Sequence, residues 1–505
     1  MGRADQGDRG EHGMSQKKPK EETVGDAGHG SSLRDAAAAP GAANPGATSP
    51  GATKSSSETA EVSQHATRKL AQFIVASRFE DLPTPVRHEA ARTLLNWIGC
   101  AIGGSRHQTV TNAVAALSPF FGSGQATLFG RPERVDVLHA ALLNGISSHV
   151  LDFDDTHIET AIHPAAPVAP AILALAEHRG VSGRDFMAAL VIGIETEFRI
   201  GMAVTPAHYK IGWHITGTAG VFGSAAAAGK LLGLSEQQMC WALGLAAAQP
   251  VGLQEMFGSM TKSFHPGRAA QNGLTAALLA QQGYTASEQG LEAKRGWLNV
   301  LSTACNHAAL TNPSWEILNN SYKPFACGLV VHPVIDGCIR LRDANRLTPD
   351  MIDRIEVAVH PRVMDVTSIR EPKTGLEGKF SIYHAAAVAV VEGAAGEQQF
   401  SDEVVRAPAI AGLRARVLAT IDPSLGKAQA RVTILLKNGD RLAVFVEHAV
   451  GSVENPMSDR MLEDKFRGLS AGILSPGDTD RLIDLCRGAD KLADAGEIAR
   501  NAGSA

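Results

Sequence analysis

Cysteine is scarce and unpatterned in this chain. Six occur in 505 residues, at positions 100, 240, 305, 327, 338 and 486, with no C-x-x-C among them. That spacing argues against a disulfide framework, a zinc site and an iron–sulfur cluster, which needs three or four converging thiolates. Long apolar runs are missing too. The charge-free stretch Ile211 to Gly229 is rich in Gly, Ala and Thr and contains His214. A bilayer span needs about 20 strongly apolar residues, so no membrane segment is expected. Net charge is only −5 and aromatics make up 5%. With neither a basic stripe nor an aromatic platform, a nucleic-acid partner is not expected. No signal peptide is read, and reduced thiols fit a cytoplasmic protein.

The remaining composition, 44% hydrophobic and 20% charged, is that of an ordinary soluble protein. The length allows two domains or one composite domain. Residues 1–62 are Gly, Ala, Ser, Pro and charge, with too few large apolar side chains to offset the entropy of ordering. They are read as a disordered tail or as sequence upstream of a later start codon. Their early acidic residues argue against a mitochondrial transit peptide.

Helical patterning begins near Gln64, with Leu70, Phe73, Ile74 and Ser77 on one face. Thr84 offers an N-cap ahead of Pro85, and Gly103-Gly104 ends that helix. Ser182 with Asp185, Ser235 with Gln238 and Thr285 with Glu288 have the spacing of capping boxes. Frequent Ala and Gly imply close helix–helix approach. After about residue 320 the pattern changes. Ile355, Val357 and Val359 alternate with more polar residues as in a half-buried strand, and Lys437-Asn438-Gly439-Asp440 sits between two β-rich runs as a hairpin turn. Phe380 to Gly393 reads as a buried helix, and helix returns from about Ser458. The expected fold is mainly α: a large all-helical domain over 63–318, an inserted smaller α/β lid domain over 319–452, and a helical return over 453–505.

Five segments carry chemistry. Asp152-Phe153-Asp154-Asp155-Thr156-His157 is followed by His163-Pro164. Such clustered acids can be a solvated loop, an Mg²⁺ site or an acid/base site, and no phosphate-binding signature accompanies them. His214, in Gly212-Trp213-His214-Ile215-Thr216-Gly217, sits where a helix starts. Free backbone N–H groups favour anions there. The glycines at 217, 220 and 223 lack the preceding strand a dinucleotide loop requires. Lys262, His265 and Arg268 fall within seven residues, either a plain basic surface or what a polycarboxylate site would need. Lys323 with His332, and Tyr383 with His384, complete the set.

Taken in order, LDFDDTH…HP, GWHITGTAGVFGSAAAAGKLLGL, TKSFHPGRAAQNG, KPFACGLVVHPVIDG and NPMS…KF resemble the MmgE/PrpD family over about residues 65 to 470. That family includes 2-methylcitrate dehydratase, cis-aconitate decarboxylase and iminodisuccinate epimerase. The resemblance implies a helical domain with an α/β lid, a homodimer, no metal or organic cofactor, and a small polycarboxylate substrate. It implies a lyase that moves a proton at carbon next to a carboxylate, with 2-methylcitrate dehydratase-like activity first and decarboxylation or epimerisation as alternatives. A non-catalytic binding protein or scaffold is the alternative of another class. Residue by residue, it places Asp152, His163, His214, Lys262, Tyr383 and His384 among the catalytic groups. It places Thr156, His265 and Lys323 with His332 on the substrate, where the basic cluster adds Arg268. Gly328 stands where the family often has Cys or His, so a role there is lost or different. Leu95-Asn96-Trp97 stands where the family has L-L-D-T after the first helix, and is read as structural.

Overall fold

The computed structural model describes residues 65–504. The disordered tail expected over 1–62 lies outside the described residues.

The described chain is mainly helical, with small sheets. The helices that build and position the site are α1 (Ala66–Ala76), α2 (Thr84–Gly104), α3 (Val137–His149), α4 (Ala165–Arg179), α5 (Gly183–Val204), α6 (Ile215–Leu231), α7 (Glu236–Ala247), α8 (Thr261–Gln281), α9 (His332–Asn345), α10 (Ile382–Glu392) and α11 (Asp459–Ser470). The strands are β1 (Thr156–His157), β2 (Asn320–Ser321), β3 (Ile352–Val359), β4 (Val417–Ile421), β5 (Ala430–Leu436) and β6 (Arg441–Val446).

Helix α8 packs between α6 and α3, and α6 also packs on α5 and α4. Small residues make this closeness possible. A Cβ at Gly145 of α3 would sit 2.6 Å from the Cα of Gly267 on α8, so neither position has room for a side chain. Buried alanines line the same seams. Ser182 caps α5 by accepting from the Asp185 N–H, and Ser235 with Gln238 forms a reciprocal box at α7.

Two predicted helix starts differ. Thr84 is already inside α2, Pro83 precedes it as the cap, and its side chain caps nothing. Thr285 starts no helix, because Glu288 is drawn to Arg68 and Gln237 and Gly290 packs against Gly244. Residues 285–287 are irregular and 288–296 form turns and bends instead.

The four-stranded sheet has the order β4-β3-β5-β6. β3 runs antiparallel to β5 and parallel to β4, and the Asn438-Gly439 turn joins β5 to β6 with Gly439 at φ +94°. The sequence reading missed β4, a largely exposed five-residue edge strand with no clean alternation. Helices α9 and α10 cover the sheet with apolar residues such as Val334, Ile335, Ala386 and Val390. That core also takes Leu142, Leu143 and Ile146 from α3. A second core fills the helical part and includes residues of α11. A short antiparallel ladder, Thr156 opposite Ser321 and His157 opposite Asn320, joins the acidic segment to the chain leading into Lys323.

Candidate active site

Helix α3 ends at His149, and the chain crosses to α4 through residues 150–164. In that crossing Asp152 adopts φ +50°, a left-handed conformation that Asp tolerates better than most residues. Its N–H donates to the His149 carbonyl at 3.0 Å. Two lysines meet its carboxylate. Lys262, in the first turn of α8, lies 3.0 Å from Oδ1, and Lys323, just after β2, lies 2.8 Å from the same oxygen. All three side chains are buried. Burial pushes the Asp152 carboxyl up, but the two ammonium groups outweigh it and hold it well below the usual range. For Lys262, burial outweighs the pull of Asp152 and lowers the ammonium below its ordinary value. One carboxylate shared by two ammoniums leaves a local positive charge.

Beside this pair lies a chain of histidines. Asp154 Oδ2 accepts from His149 Nδ1 at 2.7 Å. Its Oδ1 lies 3.2 Å from His163 Nδ1, whose aligned partner is Thr156 Oγ1, also at 3.2 Å. His214 Nδ1 lies 2.9 Å from His265 Nδ1. Burial dominates at every ring: His149 and His265 are lowered to about 4, His163 is lowered, and His214 is well below its ordinary value. These imidazoles are neutral at pH 7, and each can hold or pass one proton. His149, Asp154 and His163 offer three ligand atoms within 4.8 Å of one another, the group among the described residues that could hold a metal ion. Both Nδ1 atoms face the carboxylate, so an ion there would have to displace those contacts.

A cavity of about 120 Å³ opens against these groups. One water needs roughly 10–15 Å³ by the same measure, so a small organic acid fits. Asp152, Thr156, His163, His214, Lys262 and Lys323 form its polar wall. Phe257, Phe380, Leu329, Val330 and Val366 form an apolar wall, and Arg362 and Lys427 add further positive charge. Gly328 lines it too, and a Cβ there would meet nothing closer than 3.8 Å.

The other predicted residues sit elsewhere. His265 backs His214 without lining the cavity. Arg268 is exposed and donates to Gln271 at 2.6 Å. His332 is buried edge-on against Phe325, 5.2 Å between ring centroids. Tyr383 lies beneath Arg370, and His384 Nε2 faces the Gln399 carbonyl at 3.0 Å. Neither lines the cavity. The sequence reading left out His149, Asp154 as the residue holding the histidines, Arg362 and Lys427. Asp154 was visible in the acidic run, but nothing in the sequence marked Arg362.

The MmgE/PrpD N-terminal domain model matches residues 68–308 and the MmgE/PrpD C-terminal domain model residues 325–490. The chain belongs to the MmgE/PrpD family. It is 27% identical to the cis-aconitate decarboxylase of Aspergillus terreus over 450 residues, covering 82% of this chain and 91% of that protein. It is 27% identical to the human cis-aconitate decarboxylase over 448 residues, covering 85% and 92%. It is also 27% identical to the cis-aconitate decarboxylase-like protein oryM of Aspergillus oryzae over 465 residues, covering 86% and 96%.

Proposed function

We propose that this protein is a lyase acting on a small di- or tricarboxylate, and that it removes CO₂ from a cis-aconitate-like acid. The observation that carries the proposal is the sharing of Asp152 Oδ1 by Lys262 and Lys323 at the wall of a cavity that also holds His163 and His214. The relatives named for cis-aconitate decarboxylation favour this reaction over the dehydration to which the sequence reading gave first place.

The net positive charge at the lysine pair attracts a substrate carboxylate, and Arg362 and Lys427 can take a second. When the scissile C–C bond breaks, CO₂ leaves and the electron pair stays on carbon, delocalised toward the carboxylate at the lysines. Preorganised ammonium groups stabilise that developing charge. The carbon then takes a proton from an acid on the polar wall. Lys262 suits this role, since burial lowers its pKa. Solvent returns the proton. The apolar wall of Phe257 and Phe380 suits a group that loses its charge as it leaves.

A second reading has support of its own. His163 and His214 lie 6.5 Å apart between ring centroids, and both line the cavity. Two neutral imidazoles so placed suit removal and return of a proton, as dehydration or epimerisation requires. In this family layout the segment with the four-stranded sheet serves as the lid, and the enzyme works as a homodimer. Purified protein incubated in D₂O with cis-aconitate, 2-methylcitrate and iminodisuccinate, followed by NMR, separates the reactions. Release of CO₂ with one new C–D bond supports decarboxylation. Absence of any reaction or deuterium uptake with all three acids would refute the lyase proposal.

A further inference from the structure

Two lysines outside the cavity wall hold the segments that carry Asp152 and Lys323. Lys379, just before α10, is buried, and its ammonium donates to the Leu151 carbonyl, to the Ala326 carbonyl at 3.0 Å and to Glu397. Lys465, on α11, has a half-buried stem. Its ammonium donates to Phe153 O at 2.6 Å, Lys323 O at 2.9 Å and Asn96 Oδ1 at 2.8 Å. It also lies 3.8 Å from the centroid of the Phe153 ring. An ammonium has three N–H donors, and both lysines have a partner for each.

The pattern of acceptors is specific. Leu151 and Phe153 flank Asp152 in sequence, while Lys323 and Ala326 belong to the segment that brings the second ammonium to Asp152. Each lysine therefore ties one side of the Asp152 turn to the Lys323 segment, bracketing the Asp152–Lys323 contact. Asp152 sits at φ +50°, a conformation that persists when its surroundings over-determine it. The two tethers come from distant parts of the chain, before α10 and from α11, so the site geometry depends on both. Neither lysine lines the cavity.

We infer that Lys379 and Lys465 are positioning residues that fix the Asp152–Lys323 ion pair in register for the substrate carboxylate. The kinetic consequence rests on the lyase reading; the structural consequence does not. Lys465 faces Cys100 of α2, Asp154 and Asp155 of the crossing segment, and Lys323, and burial lowers its ammonium to about 8. A neutral amine has two donors for three acceptors, so the tether weakens as pH rises through that value.

The test compares crystal structures and steady-state kinetics of wild type, Lys379→Met and Lys465→Met, with Lys379→Gln and Lys465→Gln as milder variants should the methionine variants fail to fold. In the variants the Asp152 Oδ1–Lys323 Nζ contact should open beyond hydrogen-bond reach or the turn should lose order. With an active wild type, kcat should fall at least tenfold at unchanged circular dichroism. Lys465→Arg should move the alkaline limb of the pH profile upward. A retained contact in the crystal overturns the inference, whatever the wild type catalyses. So does wild-type kcat per folded molecule, with only the melting temperature lowered.

Discussion

Lys323 touches Asp152 twice, through the carboxylate Oδ1 at 2.8 Å and through the carbonyl oxygen at 2.9 Å. The first contact offsets the charge of the ammonium, and the second pins the backbone of a turn in an uncommon conformation. Replacing Lys323 by Met removes both and leaves the buried carboxylate with Lys262 alone. Breaking a buried pair costs about 3–5 kcal/mol, and the remaining lysine puts the expected loss near 3 kcal/mol. Chemical denaturation of the two proteins measures it, and a loss under about 1 kcal/mol would show that Lys262 suffices.

His163→Ala and Lys262→Ala address the chemistry rather than the scaffold. Each should lower turnover on the order of 10²–10⁴-fold if the residues move the proton and stabilise the charge. Far-UV circular dichroism should stay near wild type. Near-normal activity in both would exclude this cavity as the reaction site.

Asp154 supplies a pH test. Burial lowers the pKa of His163, and the Asp154 carboxylate beside it pulls the other way. His163 is thus protonated only below the ordinary imidazole value, and the acid limb of kcat/KM should lie below about 6.5. In Asp154→Asn that opposing pull is gone, the His163 pKa falls further, and the limb should move to lower pH with a reduced plateau. A limb moving to higher pH would mean that another group titrates.

Glu197 of α5 is buried with neither carboxyl oxygen hydrogen-bonded, and burial, followed by the nearby Asp155 charge, raises it well above its ordinary 4.5. The native state keeps this proton while the unfolded chain loses it near 4.5. The contribution is therefore intact below that pH and declines as pH rises toward the folded value, by about 1.4 kcal/mol per pH unit. Glu197→Gln removes the titration. The variant's stability advantage should grow between pH 5 and pH 8 in thermal melts, and an advantage constant across that range would mean that Glu197 is ionised in the fold.

The parts of this molecule legible in the sequence are those with local signatures. The β5–β6 hairpin was announced by Asn438-Gly439, and the start of α7 by Ser235 and Gln238. The acidic segment, His214 and Lys262 stood in their motifs, and the fold brings them to one cavity. Helical rotation explains Arg268. Six residues after Lys262 at 3.6 per turn carry it to another side of α8, where it meets solvent rather than the cavity. Lys465 lay in the NPMS…KF stretch, but its work is on main-chain carbonyls far away in sequence, and carbonyls carry no residue signature. Arg362 joins the cavity through tertiary packing, with no pattern to mark it. β4 stayed hidden because an exposed edge strand needs no alternation.

Substrate recognition rests on the Lys262–Lys323 pair binding a carboxylate. Isothermal titration of tricarballylate, an unreactive tricarboxylate, into wild type and Lys262→Met tests it most directly. Saturable 1:1 binding to wild type is expected, weakened at least tenfold in the variant. Equal affinity in the two proteins, or no binding to wild type, would contradict it.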